Sequence, residues 1–150
     1  MRAPLRCELT LPARVTSGDP IALTLRLSNP GAESIAFLGW GTPFEGMWTG
    51  PSIDVTRDGA PQPYLGPMVK RGAPSAEEYV VIPSQGVVTA ELPLHEGYDL
   101  SRPGRYQIVP RFVLHDVVRG GDVRLPRRLD AMRQEPLRCP EGLLEITPRH

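Results

Sequence analysis

The sequence predicts an all-β, immunoglobulin-like antiparallel sandwich of about seven to nine strands with little helix. Three observations carry that prediction. Short runs alternate apolar and polar residues, the period of a half-buried strand. Gly- and Pro-containing turns cut these runs at nearly even intervals. The string Tyr98–Tyr106 (YDLSRPGRY) sets a Gly and then a Tyr at the mouth of a long strand, as in the tyrosine corner of Greek-key sandwiches.

Along the chain, Arg6–Leu11 is the first predicted strand, with Cys7, Leu9 and Leu11 on one face. Ser17-Gly18-Asp19-Pro20 turns the chain. Ile21–Ser28 is the clearest strand: Ile21, Leu23, Leu25 and Leu27 share a face opposite Thr24 and Arg26. Asn29-Pro30-Gly31 is a turn signal, and Glu33–Leu38 is expected to return as the hairpin partner. Ser52–Arg57 alternates again and stops at Asp58-Gly59. Pro63–Val69, broken by Gly66 and Pro67, reads as an extended edge segment. Tyr79–Ile82 and Val87–Leu94 are two strands parted by Pro83–Gly86. Arg105–His115 is the longest strand, kinked or edge-exposed at Pro110, with Val123–Leu125 as a candidate neighbour. Leu129–Arg133 has room for one helical turn, and Leu143–Thr147 closes the domain.

At 150 residues the chain has one domain's worth of sequence and buries about 70% of its unfolded surface without needing a metal or a bridge. Residues 1–150 are read as a single sandwich, with 119–138 an irregular excursion before the closing strand. Eighteen prolines and fifteen glycines lie between apolar runs rather than in tracts, so they punctuate turns. Seventeen basic and seventeen acidic side chains cancel. That balance argues against nucleic acid as a partner. No apolar run approaches the roughly 18 residues a membrane-spanning helix needs, so membrane insertion is not expected. The N-terminal MRAPLRC lacks the apolar core of a signal peptide. Location therefore stays open between the cytoplasm and export after removal of a leader. Cys7 and Cys139 could bridge terminal strands, but without a leader the reading favours two free thiols.

The chemistry-bearing motifs point to a non-enzyme. His95-Glu96-Gly97-Tyr98-Asp99 approaches the HExxH zinc motif, but its fifth position is Asp and Gly97 weakens any helix. His95, His115 and His150 are the only histidines. No GxSxG elbow or phosphate-cradling Gly loop is present, and no cofactor is expected. What remains is a concentration of aromatic residues. Trp40–Trp48 (WGTPFEGMW) holds both tryptophans with Phe44 and Met47. For Trp40 and Phe44 a core-plugging role is favoured. For Met47 and Trp48 a role in partner binding is equally open. The Pro/Gly-rich stretch Tyr64–Tyr79, with Lys70 and Arg71, reads as a loop or as an extended segment offered to a partner protein. Partner-contact candidates are thus Trp40, Phe44, Met47, Trp48, Tyr64, Lys70, Arg71 and Tyr79.

The wording WGTPFEG, VTRDG, YLGPMVKRGAP and YDLSRPGRY, in that order, resembles the non-catalytic N-terminal β-sandwich region of deuterolysin-type (aspzincin) zinc metalloendopeptidases. The resemblance covers roughly Leu9 to Leu114, including the Ser28–Gly31 turn and Tyr79. It implies a sandwich that precedes a catalytic domain and serves as a propeptide aiding or restraining it. The family's HExxH helix and downstream Asp ligand have no counterpart in these 150 residues, so peptidase activity is not implied. Two functions are expected. One is a module that binds a protein, with a metallopeptidase as the partner the resemblance implies, as inhibitor or chaperone. The other is a structural subunit of a surface or secretion assembly with no protease partner. Oligomeric state is left open.

Overall fold

Period-two alternation in the chain's third strand builds the centre of the smaller of two sheets. The computed structural model describes residues 5–121, 124–128 and 132–149. Eleven strands lie among them: β1 (Arg6–Thr10), β2 (Arg14–Thr16), β3 (Ala22–Ser28), β4 (Ile35–Leu38), β5 (Ile53–Arg57), β6 (Ala60–Pro61), β7 (Tyr79–Ile82), β8 (Val87–Pro93), β9 (Gly104–Arg119), β10 (Glu135–Arg138) and β11 (Gly142–Thr147). One helical turn, Leu94–Gly97, and two short 3-10 turns complete the set.

The smaller sheet runs β1-β3-β8, antiparallel throughout. The larger runs β2-β11-β9-β4-β7, with β5 and β10 also on β9 and β6 on β5. Its one parallel pairing joins β11 to β2. Leu23, Leu25 and Leu27 of β3 point into a core shared with Phe37, Ile53, Ile108, Leu114 and Leu144 of the other sheet. The two sheets therefore pack face to face, as the alternation predicts. β9 is the spine, pairing β11 over Gly104–Ile108 and β10 over Arg111–Leu114. Pro110 has no N–H to donate and sits where one neighbour gives way to the other, so it costs the ladder little.

Two expectations need correction. β3 and β4 are not a hairpin, since they lie in opposite sheets. Buried Asn29 explains the crossover: its amide donates to the carbonyls of Glu33, Ile82 and Pro83, drawing the chain over to the larger sheet. Nor are the cysteines free thiols, because Cys7 and Cys139 form a disulfide. The sequence correctly allowed the two ends to meet, but spacing alone does not report the meeting. Pro63–Val69 forms no strand. The predicted strand at Val123–Leu125 and helical turn at Leu129–Arg133 fall partly outside the described residues.

Several described residues of the excursion after β9 are fastened back onto the sheet. Where β4 meets β9 the register slips, so that Asp116 and Val117 together face Phe37. Such a bulge leaves an extra residue outside the ladder. Asp116 takes it up at φ 47°, a left-handed conformation that Asp tolerates better than most residues. Its buried carboxylate accepts from Arg127 Nε (2.6 Å) and from the Tyr79 hydroxyl. Val117 N–H donates to the Arg133 carbonyl (3.1 Å). Leu125 and Trp40 pack on Ala36, Leu38 and Tyr79 outside the main core. Arg119 then grips Glu135 with two hydrogen bonds (2.7 and 3.0 Å) at the start of β10.

The tyrosine corner is present. Tyr106 is buried, and its hydroxyl donates to the Arg102 carbonyl four residues upstream at 2.7 Å. Tyr106→Phe should therefore cost about 1 kcal/mol with no change of fold, the net value of one such bond. Urea unfolding of the two proteins measures it, and a loss near zero would mean the corner does not pin the crossover.

Candidate functional site: the paired loops

Two loops that are distant in sequence pack on one another. The first, between β4 and β5, opens with Thr42, whose hydroxyl accepts from Phe44 N (3.2 Å) and caps the 3-10 turn Pro43–Glu45. The second, between β6 and β7, ends in a capping box in which Glu78 accepts from the backbone and hydroxyl of Ser75 (3.1 and 3.2 Å). Arg71 joins the two, with its guanidinium 2.6 Å from Glu45 Oε1, 3.9 Å from Glu78 Oε2 and stacked 5.4 Å over the Trp40 ring. Glu45 Oε1 also accepts from Gly41 N–H and the Thr49 hydroxyl, both at 2.8 Å. Trp40 donates its indole N–H to Glu78, and this bond more than any other holds the Glu78 carboxyl below its ordinary range.

A second knot is aromatic. Trp48, Tyr64 and Tyr98 form a triangle with centroids 5.7–6.0 Å apart. Trp48 is 5% exposed and donates its indole N–H to the Pro93 carbonyl at 2.8 Å. Its ring lies against Gly97, where a Cβ would fall 2.7 Å from Trp48 Cε2, so only glycine fits. Burial pushes the Tyr98 hydroxyl up to about 12, and it donates to the Ile53 carbonyl. Tyr64 folds over Gly66 and donates to the Pro67 carbonyl at 2.5 Å.

The eight expected contact residues thus divide. Phe44 is half-buried, edge-on to Phe37 and Phe112 at 6.2 and 6.3 Å, and plugs the core as favoured. Trp40 instead flanks the smaller outer cluster. Trp48 and Tyr79 are buried, so as folded they offer a partner little surface. Burial, and then the bond to Asp116, push the Tyr79 hydroxyl up to about 12. Tyr64 and Arg71 are half-buried and serve as internal fasteners. Met47 (61% exposed) and Lys70 face solvent.

Sequence reasoning missed three exposed apolar side chains on the second loop: Leu65 (62%), Met68 (72%) and Val69 (44%). Val69 N–H donates to Thr49 O at 3.0 Å, which brings this strip beside the segment carrying Met47. Half of the eight large apolar side chains exposed among the described residues lie on these two loops. Glu45 and Glu78 were also missed. Their signal was legible in two [ST]-x-x-E strings, Thr42–Glu45 and Ser75–Glu78.

Among the described residues the histidines form no comparable centre. His95 lines a shallow hollow with Asp19 and Asp99. There Asp19 is paired with Arg149, Asp99 accepts from Ser101, and His95 Nδ1 accepts from Ile21 N–H (3.1 Å). Among the described residues no three His, Cys, Asp or Glu side chains are placed to hold a metal.

These residues define a disulfide-bridged β-sandwich with two interlocked loops. Its sequence is similar to part of an extracellular protease from Aeromonas hydrophila, 32% identical over 129 residues, or 83% of this chain. The match spans only 36% of that relative's length. No family model matches the chain. Two structures of the CARDB domain of the PF1109 protein from Pyrococcus furiosus, one in solution and one a crystal with di-metal ions, align over 90% and 91% of this chain and 93% and 92% of theirs. Identity is 12% and the TM-score 0.31 in both, so neither adds to what the strands themselves show.

Proposed function

We propose that this sandwich is a non-catalytic protein-binding domain whose partner is the peptidase portion of an extracellular metallopeptidase, which it restrains or helps to fold. The observation that carries the reading is the partial match, in which this chain's sequence corresponds to about a third of a protease (36%). The resemblance of its ordered motifs to the aspzincin prodomain-like region supports a metallopeptidase as that partner. Met47, Leu65, Met68, Val69 and Lys70 supply the contact surface, since exposed Met and aliphatic side chains on an ordered backbone suit a protein interface better than solvent. The Cys7–Cys139 bridge suits an oxidising compartment, where such a partner would act.

The test uses the Aeromonas hydrophila protease with its matched third deleted. The oxidised domain, added in trans, is expected either to raise the recovery of peptidase activity on refolding or to inhibit the folded enzyme. Met47→Asp/Met68→Asp should abolish the effect while leaving the domain's unfolding midpoint unchanged. An inert wild-type domain would give the lead to the second reading, an accessory sandwich subunit of a surface or secretion assembly. The packing of Phe44 and Trp48 into the core supports that alternative.

A further inference from the structure

Residues 62–75 contain no strand or helix, yet the segment is fastened on both sides of its exposed strip. On one side Tyr64 sits in the aromatic triangle, and Leu65 N–H donates to the Gly97 carbonyl at 2.8 Å. On the other side Arg71 is held by Glu45, Glu78 and Trp40. Between these fasteners Leu65, Met68, Val69 and Lys70 turn outward. Ordering a loop costs conformational entropy, and exposing apolar side chains forgoes burial. A loop that merely connects two strands needs neither.

Peptidase clefts receive their polypeptide as an extended strand, with main-chain hydrogen bonds and pockets for successive side chains. A backbone already fastened at both ends of the strip loses less entropy on docking. A separate feature fits the same use. Cys7 precedes this loop and Cys139 follows it, so the disulfide joins the two halves of the chain around it. The sheets do so as well, since β3 pairs with β8, and β4 with β7 and β9, across the loop.

We propose that Leu65–Lys70 is a peptidase-docking segment that enters an active-site cleft as an extended strand, and that scission within it leaves the domain in one covalent piece. The inference rests on the reading above for the identity of the natural peptidase. Hydrolysis of the Met68–Val69 bond adds one water: Met68 ends in a carboxylate and Val69 begins with an amine. Nothing is oxidised or reduced, and the disulfide is untouched.

Thermolysin, a zinc peptidase that cuts before apolar residues, is the probe, used at low ratio on the oxidised chain. Intact-mass analysis should place the first cut between Leu65 and Arg71. Without reductant the product should be a single species one water heavier, and with reductant two fragments. Arg71→Ala, which frees one fastener, should be cut at the same place about tenfold faster, because cleavage follows local opening. A first cut outside that segment, no cut at all, an unchanged rate for Arg71→Ala, or fragments that part without reductant would each overturn the proposal. A misplaced cut combined with a positive trans-refolding result removes this segment's role and leaves the protein-binding reading standing.

Discussion

Reducing the Cys7–Cys139 disulfide is expected to lower the stability of the folded chain by about 4–5 kcal/mol, the chain-entropy value for so long a closed loop. The bridge spans 132 residues, so nearly the whole chain is constrained in the unfolded state. Against a typical domain stability of about 5–15 kcal/mol, that is about a quarter of the total or more. The core does not depend on the bridge, because the residues shared by the two sheets are contributed by strands that pair without it. The reduced protein should therefore remain folded, with a much lower unfolding midpoint. The loss should be felt first at the tethered pieces, β1 and β10. Among the described strands β1 pairs only with β3, and β10 only with β9. Urea unfolding with and without reductant measures the global term, and hydrogen exchange at Arg6–Thr10 and Glu135–Arg138 the local one. Cys7→Ser/Cys139→Ser should match the reduced wild type and be indifferent to reductant. A midpoint that barely moves would mean that the unfolded chain is already compact, and that the bridge serves to tie halves rather than to stabilise.

Where the sequence was legible, it was so for reasons that can be named. Leu23, Leu25 and Leu27 alternate strictly because β3 is central in its sheet with one face in the core. Tyr79–Ile82 matches β7 residue for residue because a Pro-Ser-Gln-Gly turn follows it. Tyr106 was legible from its Gly and its position at the strand mouth. The failures have equally local causes. β10 has one apolar core contact, Leu137, and a proline beside it, so it is a strand only because β9 and the Cys139 bridge place it there. Asn29 read as a turn residue, and it is one, but its side chain decides which sheet the chain enters next. Nothing in the residues beside Asp116 marks it as buried. Only the bulge on β9 turns it inward to Tyr79 and Arg127.

The candidate site was legible as composition and not as orientation. Nine residues with two tryptophans, a Phe and a Met announce a feature, but a loop has no period from which to tell inward from outward. Met47 and Trp48 are adjacent and have opposite fates, one exposed and the other 5% exposed against Gly97. The glycine that makes room for Trp48 lies far along the chain, in the turn Leu94–Gly97, and nothing in either segment alone reveals the pairing.

That adjacency makes the second large effect a decisive one. Trp48→Ala removes a buried indole, two aromatic contacts and a hydrogen bond to Pro93. It should destabilise the domain by about 3–5 kcal/mol, the range for emptying a large aromatic site in a core. Met47→Ala, on an exposed side chain one residue away, should stay within about 0.5 kcal/mol of wild type. Urea unfolding followed by far-ultraviolet circular dichroism separates the two. The contrast bears on function because a binding defect in a Trp48 variant would say only that the loops had collapsed. The same defect in Met47→Ala, at unchanged stability, would locate a partner. Freed of Trp48, Tyr64 loses one side of its triangle, so the Leu65–Lys70 strip should loosen and its amides exchange faster, beginning with Leu65 N–H on Gly97. A loss no larger than about 0.5 kcal/mol in Trp48→Ala, the range of a surface substitution, would contradict the placement of this ring as the peg on which both loops hang.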